Sequence, residues 1–196
     1  MKSPIIVICG PTAVGKTAVI NQLLQKMPTL KTGISFMTRT PRQGMPEDKK
    51  VFYITPGEFK QKISDGKILE WSEYNGHYYG TSKESLDSVG SAALLLNLDA
   101  AGSLNIKKLY PHSLLIFIDP ESMDQIRQRL TSRGLTVEAF VRRWQEAEKA
   151  MSLAPKFDLR IINYQGRLAE TIEQVLKAIK AYLGQYPAID KTPKNN

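Results

Sequence analysis

The stretch Gly10-Pro11-Thr12-Ala13-Val14-Gly15-Lys16-Thr17 constrains this chain more than any other. It follows the apolar run Ile5-Ile6-Val7-Ile8-Cys9 and precedes a segment with Ile20, Leu23, Leu24 and Met27 on one side. Strand, glycine-rich turn and helix in that order, with the spacing G-x-x-x-x-G-K-T, describe a phosphate-cradling P-loop. Glycines let the backbone curl until several N–H groups form an anion nest. The helix that follows adds its partly positive N-terminus, which favours a di- or triphosphate. The expected nucleoside triphosphate site is therefore Gly10, Thr12, Ala13, Val14, Gly15, Lys16 and Thr17. Lys16 reaches the β- and γ-phosphates, and the Thr17 hydroxyl is the expected Mg²⁺ ligand.

At 196 residues the chain has the length of one domain, or of one domain carrying small insertions. Its 42% hydrophobic content is ordinary for a soluble globular protein. No run approaches the ~20 apolar residues that span a bilayer. A strand begins within a few residues of Met1, which leaves no room for a secretory signal. Cys9, the single cysteine, excludes a disulfide framework and a cysteine-based metal site, and its apolar run suits a buried packing residue. These features together predict a cytoplasmic protein that engages neither membrane nor nucleic acid. The net charge of +8 reads as preparation for phosphorylated small molecules, since the arginines gather near 39–42 and 127–143.

Candidate strands are 5–9, 92–98, 114–118 and 159–162, each a short and nearly continuous apolar run. Such runs suit strands covered on both faces, so an α/β fold with a central parallel sheet is predicted. Helical patterns separate them. One starts at Pro56, with Thr55 and Glu58 spaced as a capping box. Another carries Met123, Ile126 and Leu130 and stops at Gly134; a long one covers 137–152. The last presents Leu168, Ile172, Val175, Leu176, Ile179 and Leu183 on one face and closes the core. Short aromatic-rich β pieces within 33–81 predict an inserted antiparallel lobe, and the arginine-bearing helices of 127–143 a lid. The stretch from 185 to 196, with Pro187 and Pro193, reads as a disordered tail.

A P-loop names a donor and leaves the acceptor open, and no N-K-x-D-like base-reading sequence of a GTPase is present. Arg39 and Arg42 flank Pro41 within Thr38-Arg39-Thr40-Pro41-Arg42, so both guanidinium groups can converge on one phosphate through forked hydrogen bonds. Further along stand Ile68-Leu69-Glu70-Trp71, Gly76-His77-Tyr78-Tyr79-Gly80-Thr81, Asp99 with Gly102, Arg129-Leu130 with Arg133-Gly134, Arg143, and Ile161-Ile162-Asn163. In this order and near this spacing, from about residue 4 to residue 183, the motifs resemble those of the guanylate kinases. That resemblance implies a P-loop kinase fold, within 1–184, whose central parallel sheet is flanked by helices. It carries a small β-rich GMP-binding lobe over about 33–82 and a helical lid over about 127–143.

The same resemblance assigns roles. Arg39, Arg42 and Tyr79 would hold the GMP phosphate; Ser35, Glu70 and Thr81 would read the guanine; Asp99 would stand near both base and reaction centre. Arg129, Arg133 and Arg143 match lid arginines that embrace the ATP phosphates. Lys16, Arg39, Arg42, Asp99, Arg133 and Arg143 would then serve catalysis. The chemistry is coherent: a carboxylate accepts from guanine N1–H and the 2-amino group together, whereas adenine would leave it unpaired in a dry pocket. Thr81 can donate to guanine O6. Arg127, Arg142, His77 and His112 read as bystanders.

Four departures accompany the match. Gly44-Met45 stands where the family usually has Gly-Glu, Lys50-Val51 where it has Asp-Tyr, and Asn97 where Asp is frequent. The segment between Gly134 and Arg143 is also about one residue short. Loss of the phenol contact is expected to weaken GMP binding by ~1 kcal/mol, with Tyr53 and Lys50 as candidate substitutes. The expected reaction is transfer of the γ-phosphoryl of Mg²⁺-bound ATP to GMP, by a monomer or homodimer. The alternatives are a related P-loop kinase with another phosphorylated acceptor, a non-catalytic guanylate kinase-like binding module, and an ATPase stimulated by nucleic acid.

Overall fold

The computed structural model describes residues 3–41, 50–74 and 76–186. In chain order the first half runs β1 (Ile5–Cys9), α1 (Lys16–Lys26), β2 (Leu30–Thr32), β3 (Ser35–Met37), β4 (Val51–Tyr53), α2 (Pro56–Ser64), β5 (Ile68–Tyr74) and β6 (His77–Ser82). The second half runs α3 (Glu84–Ser88), β7 (Ala93–Asn97), α4 (Ala100–Leu109), β8 (Leu114–Pro120), α5 (Met123–Thr131), α6 (Val137–Leu153), β9 (Leu159–Asn163) and α7 (Leu168–Leu183).

Among the described residues the principal sheet has five strands in the order β2-β7-β1-β8-β9, every pair parallel. All five residues of β1 are buried, because this central strand is covered on both faces. Ile6 and Ile8 point into a layer made by α1, α5 and α7, where Leu23, Ile126, Val175 and Ile179 meet them. Ile5, Val7 and Cys9 point to the opposite layer, with Leu94, Ile106, Leu115 and Phe117. Cys9 is thus a packing residue, and burial pushes its thiol up to about 11. The one-sided pattern of α7 buries Ile172, Val175, Leu176, Ile179 and Leu183 as its spacing requires.

A second, four-stranded sheet in the order β4-β3-β6-β5 lies beside the first. It is mixed rather than antiparallel: β6 runs antiparallel to both β3 and β5, but β3 and β4 run parallel. The expectation of an antiparallel lobe fails at this edge, because β3 and β4 are joined by a connection too long for a hairpin. Helix α2 covers this sheet. It begins with the reciprocal capping box in which Thr55 accepts from the Glu58 amide and Glu58 from the Thr55 amide. Its fully buried Phe59 stacks on Tyr78 with ring centroids 5.3 Å apart and meets Trp71 edge-on at 6.5 Å.

The strands expected at 92–98, 114–118 and 159–162 are found with ends shifted by one or two residues, as hydrophobic runs define centres better than ends. The three-residue β2 is too short to announce itself by pattern. The helix expected to stop at Gly134 ends earlier: α5 stops at Thr131 with Ser132 as its cap, and Gly134, at φ 61°, follows in the turn beyond. The expected tail lies outside the described residues from 187 onward.

Candidate active site

The P-loop leaves the carboxyl end of β1 and closes onto α1. Gly10 adopts φ 146°, and a Cβ there would stand 2.4 Å from the Ile118 carbonyl oxygen of β8, so only glycine passes. Gly15 adopts φ 107°, and Ala13 holds a left-handed φ of 63° that non-glycine residues seldom adopt. Such a backbone persists where its surroundings secure it. Arg129 Nη1 donates to the carbonyl oxygens of Ala13 at 3.0 Å and Val14 at 3.3 Å. Asn163 Nδ2, buried at the end of β9, donates to the Val14 carbonyl at 2.8 Å, and Thr171 Oγ1 of α7 donates to Asn163 Oδ1 at 2.9 Å. With the carbonyls engaged from behind, the loop amides other than that of Val14, which donates to the Pro11 carbonyl at 3.4 Å, can turn to an anion.

Lys16 Nζ donates to the carbonyl oxygens of Gly10 at 2.7 Å and Pro11 at 2.9 Å, so the ammonium is folded over its own loop. Burial, followed by the nearby Arg133 charge, lowers its pKa to about 8 against the pull of Cys9 and Asp99. Arg143 Nη1 donates to Thr12 Oγ1 at 3.5 Å. Thr17 is exposed in the first turn of α1. One exposed hydroxyl suits a Mg²⁺ held mainly by phosphate oxygens and water. Among the described residues no cluster of His, Cys, Asp or Glu could form a metal cage.

Across from the loop, the β6 register aligns Ser35 of β3, Thr81 of β6 and Glu70 of β5 in one row. Directly opposed residues on neighbouring antiparallel strands face the same side. The alignment depends on an irregularity: Ile68 pairs with Ser82 but Glu70 with Thr81, so Leu69 is the extra residue of a bulge. Without it Leu69 would oppose Thr81. Leu69 instead joins the buried core, and Thr81 Oγ1 donates to Glu70 Oε1 at 3.1 Å. Glu70 is only 6% exposed. Burial first, then the Asp99 charge, raise its carboxyl to about 7, against the opposing Thr81 hydrogen bond.

Asp99 caps α4, its Oδ1 accepting from the Gly102 amide at 2.8 Å. Gly10, Pro11, Thr12, Lys16 and Arg143 line one end of a cleft of about 250 Å³, and Ser35, Glu70, Tyr79 and Asp99 line the other. The P-loop and the row that holds Glu70 are walls of one cavity. Asn97, Ser72 and Glu146 of α6 are among the other lining residues, and sequence reasoning had assigned no role to Ser72 or Glu146.

Other expected residues stand elsewhere. Arg39 is half-buried and is not among the residues that line the cleft, its Nη1 donating to the Thr40 carbonyl at 2.8 Å and its guanidinium 5.4 Å from the centre of the Tyr53 ring. Tyr53 therefore props Arg39, while Lys50 Nζ is turned onto the Thr32 carbonyl at 2.8 Å. Arg129 grips the back of the P-loop and Gln165 Oε1, the latter at 2.6 Å. Arg133 is exposed, and its charge reaches Lys16. Arg42 and Met45 lie outside the described residues. The Asn163–Thr171 support went unassigned because it joins residues brought together only by the packing of α7 on β9.

A family model for guanylate kinase matches residues 2–183. The chain belongs to the guanylate kinase family. A guanylate kinase of Thermosynechococcus vestitus is 37% identical over 162 residues, covering 81% of this chain and 85% of its own. That of Gloeobacter violaceus is 34% identical over 191 residues, with 95% and 91% covered. That of Thermotoga maritima is 31% identical over 184 residues, with 92% and 88% covered. The crystal structure of guanylate kinase from Anaplasma phagocytophilum superposes with a TM-score of 0.73 at 25% identity, over 92% of this chain and 86% of that one. Family membership makes the chain a nucleoside monophosphate kinase. Among the described residues no helix is long and apolar enough to cross a membrane.

Proposed function

We propose that this chain transfers the γ-phosphoryl group of ATP to GMP in the cytoplasm, releasing ADP and GDP. The observation that carries the reading is the single cleft in which Lys16 and the P-loop face Glu70, Ser35 and Tyr79. In the reaction a GMP phosphate oxygen forms a bond to the γ-phosphorus. The bond from that phosphorus to the oxygen bridging it to ADP breaks, and its electron pair leaves with ADP. The nucleophile is already an anion, so no general base is needed.

The chain's own task is to position and to neutralise. The P-loop amides and Lys16 hold the donor phosphates; Arg143, on the Thr12 side, and Arg133 bring further positive charge. Arg129 serves indirectly, by holding the loop carbonyls. Thr17 would hold Mg²⁺, which supplies charge neutralisation at the transferring group when bound. Arg39, with Arg42, and Tyr79 hold the acceptor phosphate. Glu70 accepts from guanine N1–H and the 2-amino group, with Thr81 and Ser35 beside it. The lobe over 33–82 and the lid over 127–143 close within a catalytic unit of 1–184, excluding water that would otherwise hydrolyse ATP.

A coupled ADP-release assay with GMP, AMP, CMP and UMP tests this. Turnover with GMP at least 100-fold above the others is expected. Equal or absent turnover with GMP would overturn the acceptor assignment.

A further inference from the structure

We infer that Gly102 is a specificity-determining positioning residue, the bare wall against which the base-reading carboxylate of Glu70 is set. The inference rests on the reading that Glu70 meets guanine. Gly102 is the third residue of α4, a place where alanine is the better helix former. It is not among the positive-φ glycines, so its backbone alone does not require glycine. Space does. A Cβ at Gly102 would stand 2.7 Å from Glu70 Oε2, and 3.6 Å from both Glu70 Cδ and Asp99 Oδ1.

The carboxylate is therefore located from two sides. Thr81 Oγ1 draws on Oε1 at 3.1 Å, and the naked α-carbon of Gly102 admits Oε2 on the other side. The Gly102 amide meanwhile holds Asp99 Oδ1 at 2.8 Å, so one glycine spaces two carboxylates in the cleft. A methyl group at 102 must move something to restore ordinary contact. Neighbouring Ala100 and Ser103 are buried, with Ser103 Oγ donating to the Asp99 carbonyl at 2.6 Å, so α4 is held in place. The free end of Glu70 yields instead, and several tenths of an ångström of displacement spoil a paired hydrogen bond to guanine. ATP, seated on the P-loop, does not feel the change.

The test is Gly102→Ala, with steady-state kinetics for each substrate and thermal unfolding. The KM for GMP is expected to rise at least tenfold, the preference for GMP over AMP to fall by a similar factor, the KM for ATP to stay within twofold, and the unfolding temperature not to drop. Glu70→Asp, shorter by one methylene, should partly rescue it: the double variant should have a lower GMP KM than the product of the single effects predicts. A Gly102→Ala enzyme with GMP KM and GMP:AMP preference within twofold of wild type overturns the inference. So does an equal rise in both KM values, or strict additivity in the double variant. Wild-type selectivity among the four monophosphates tests the Glu70 reading separately. Selectivity intact with a silent Gly102→Ala defeats this inference alone.

Discussion

The base-reading role proposed for Glu70 sets its deep burial against a task that requires charge. Its carboxyl sits at about 7, so in the empty protein protonated and ionised forms coexist near neutrality. Guanine offers hydrogen-bond donors, which only the ionised form meets fully. GMP affinity should therefore fall as pH drops below 7, approaching tenfold per pH unit, and binding at pH 6.5 should release protons. Calorimetry in two buffers of different ionisation enthalpy measures both; flat affinity from pH 6 to pH 8 would contradict it. Glu70→Gln should raise the KM for GMP by roughly 10- to 100-fold, the worth of a hydrogen bond to a charged group, and abolish the pH dependence. The identity of Glu70 was legible from motif order. Its protonation behaviour was not, since that follows from Leu69 bulging into the core and from Asp99 approaching out of another element.

The P-loop illustrates how an element is secured by others. Asn163 of β9 and Arg129 of α5 hold its carbonyls, and Thr171 of α7 fixes which way the Asn163 amide faces. Asn163→Ala strips the Val14 carbonyl of its 2.8 Å donor and leaves the buried Thr171 hydroxyl only the longer contact, at 3.4 Å, to the Ile162 carbonyl. The KM for ATP should rise about tenfold, equivalent to ~1.4 kcal/mol, with the KM for GMP nearly unchanged. Thr171→Val should act in the same direction and Thr171→Ser should restore function, since only the hydroxyl is at issue. At this scale the sequence was most readable where periodicity is long or fully apolar: β1, the capped α2, α6 and α7. It was silent on β2, on the parallel pairing of β3 with β4, and on the bulge at Leu69. Three-residue strands carry no period, and register depends on partners far along the chain. The resemblance implies that Arg129 embraces the ATP phosphates; its contacts to the loop's own Ala13 and Val14 carbonyls are not legible in the sequence.

At the scale of the whole molecule, Glu70 and Lys16 are described groups whose burial works against folding near neutral pH. Glu70 has a folded pKa raised from 4.5 to about 7, so it favours the fold at low pH, and that contribution is lost as pH rises through 7. Lys16 has a folded pKa lowered from 10.5 to about 8, so its contribution is present at high pH and lost as pH falls through 8. Between pH 7 and pH 8 both groups are charged and both penalties apply, each on the order of 3 kcal/mol at ~1.4 kcal/mol per pH unit. The ligand-free unfolding temperature should therefore rise from pH 7.5 toward pH 6 as far as Glu70 dominates. Glu70→Gln should raise it at pH 7.5 and leave it little changed at pH 4. Scanning calorimetry across that range checks both, and a variant no more stable at pH 7.5 would refute the assignment.

Lys16 bonded to its own Gly10 and Pro11 carbonyls has one more consequence. A triphosphate must unhook that ammonium as it settles, so donor binding is an exchange of partners rather than a simple gain. Nucleotide phosphates then add counter-charge to Lys16 and stabilise the folded form by mass action. Molecules caught without it are the ones a protease reaches first, and the survival time of the chain becomes a gauge of its nucleotide supply.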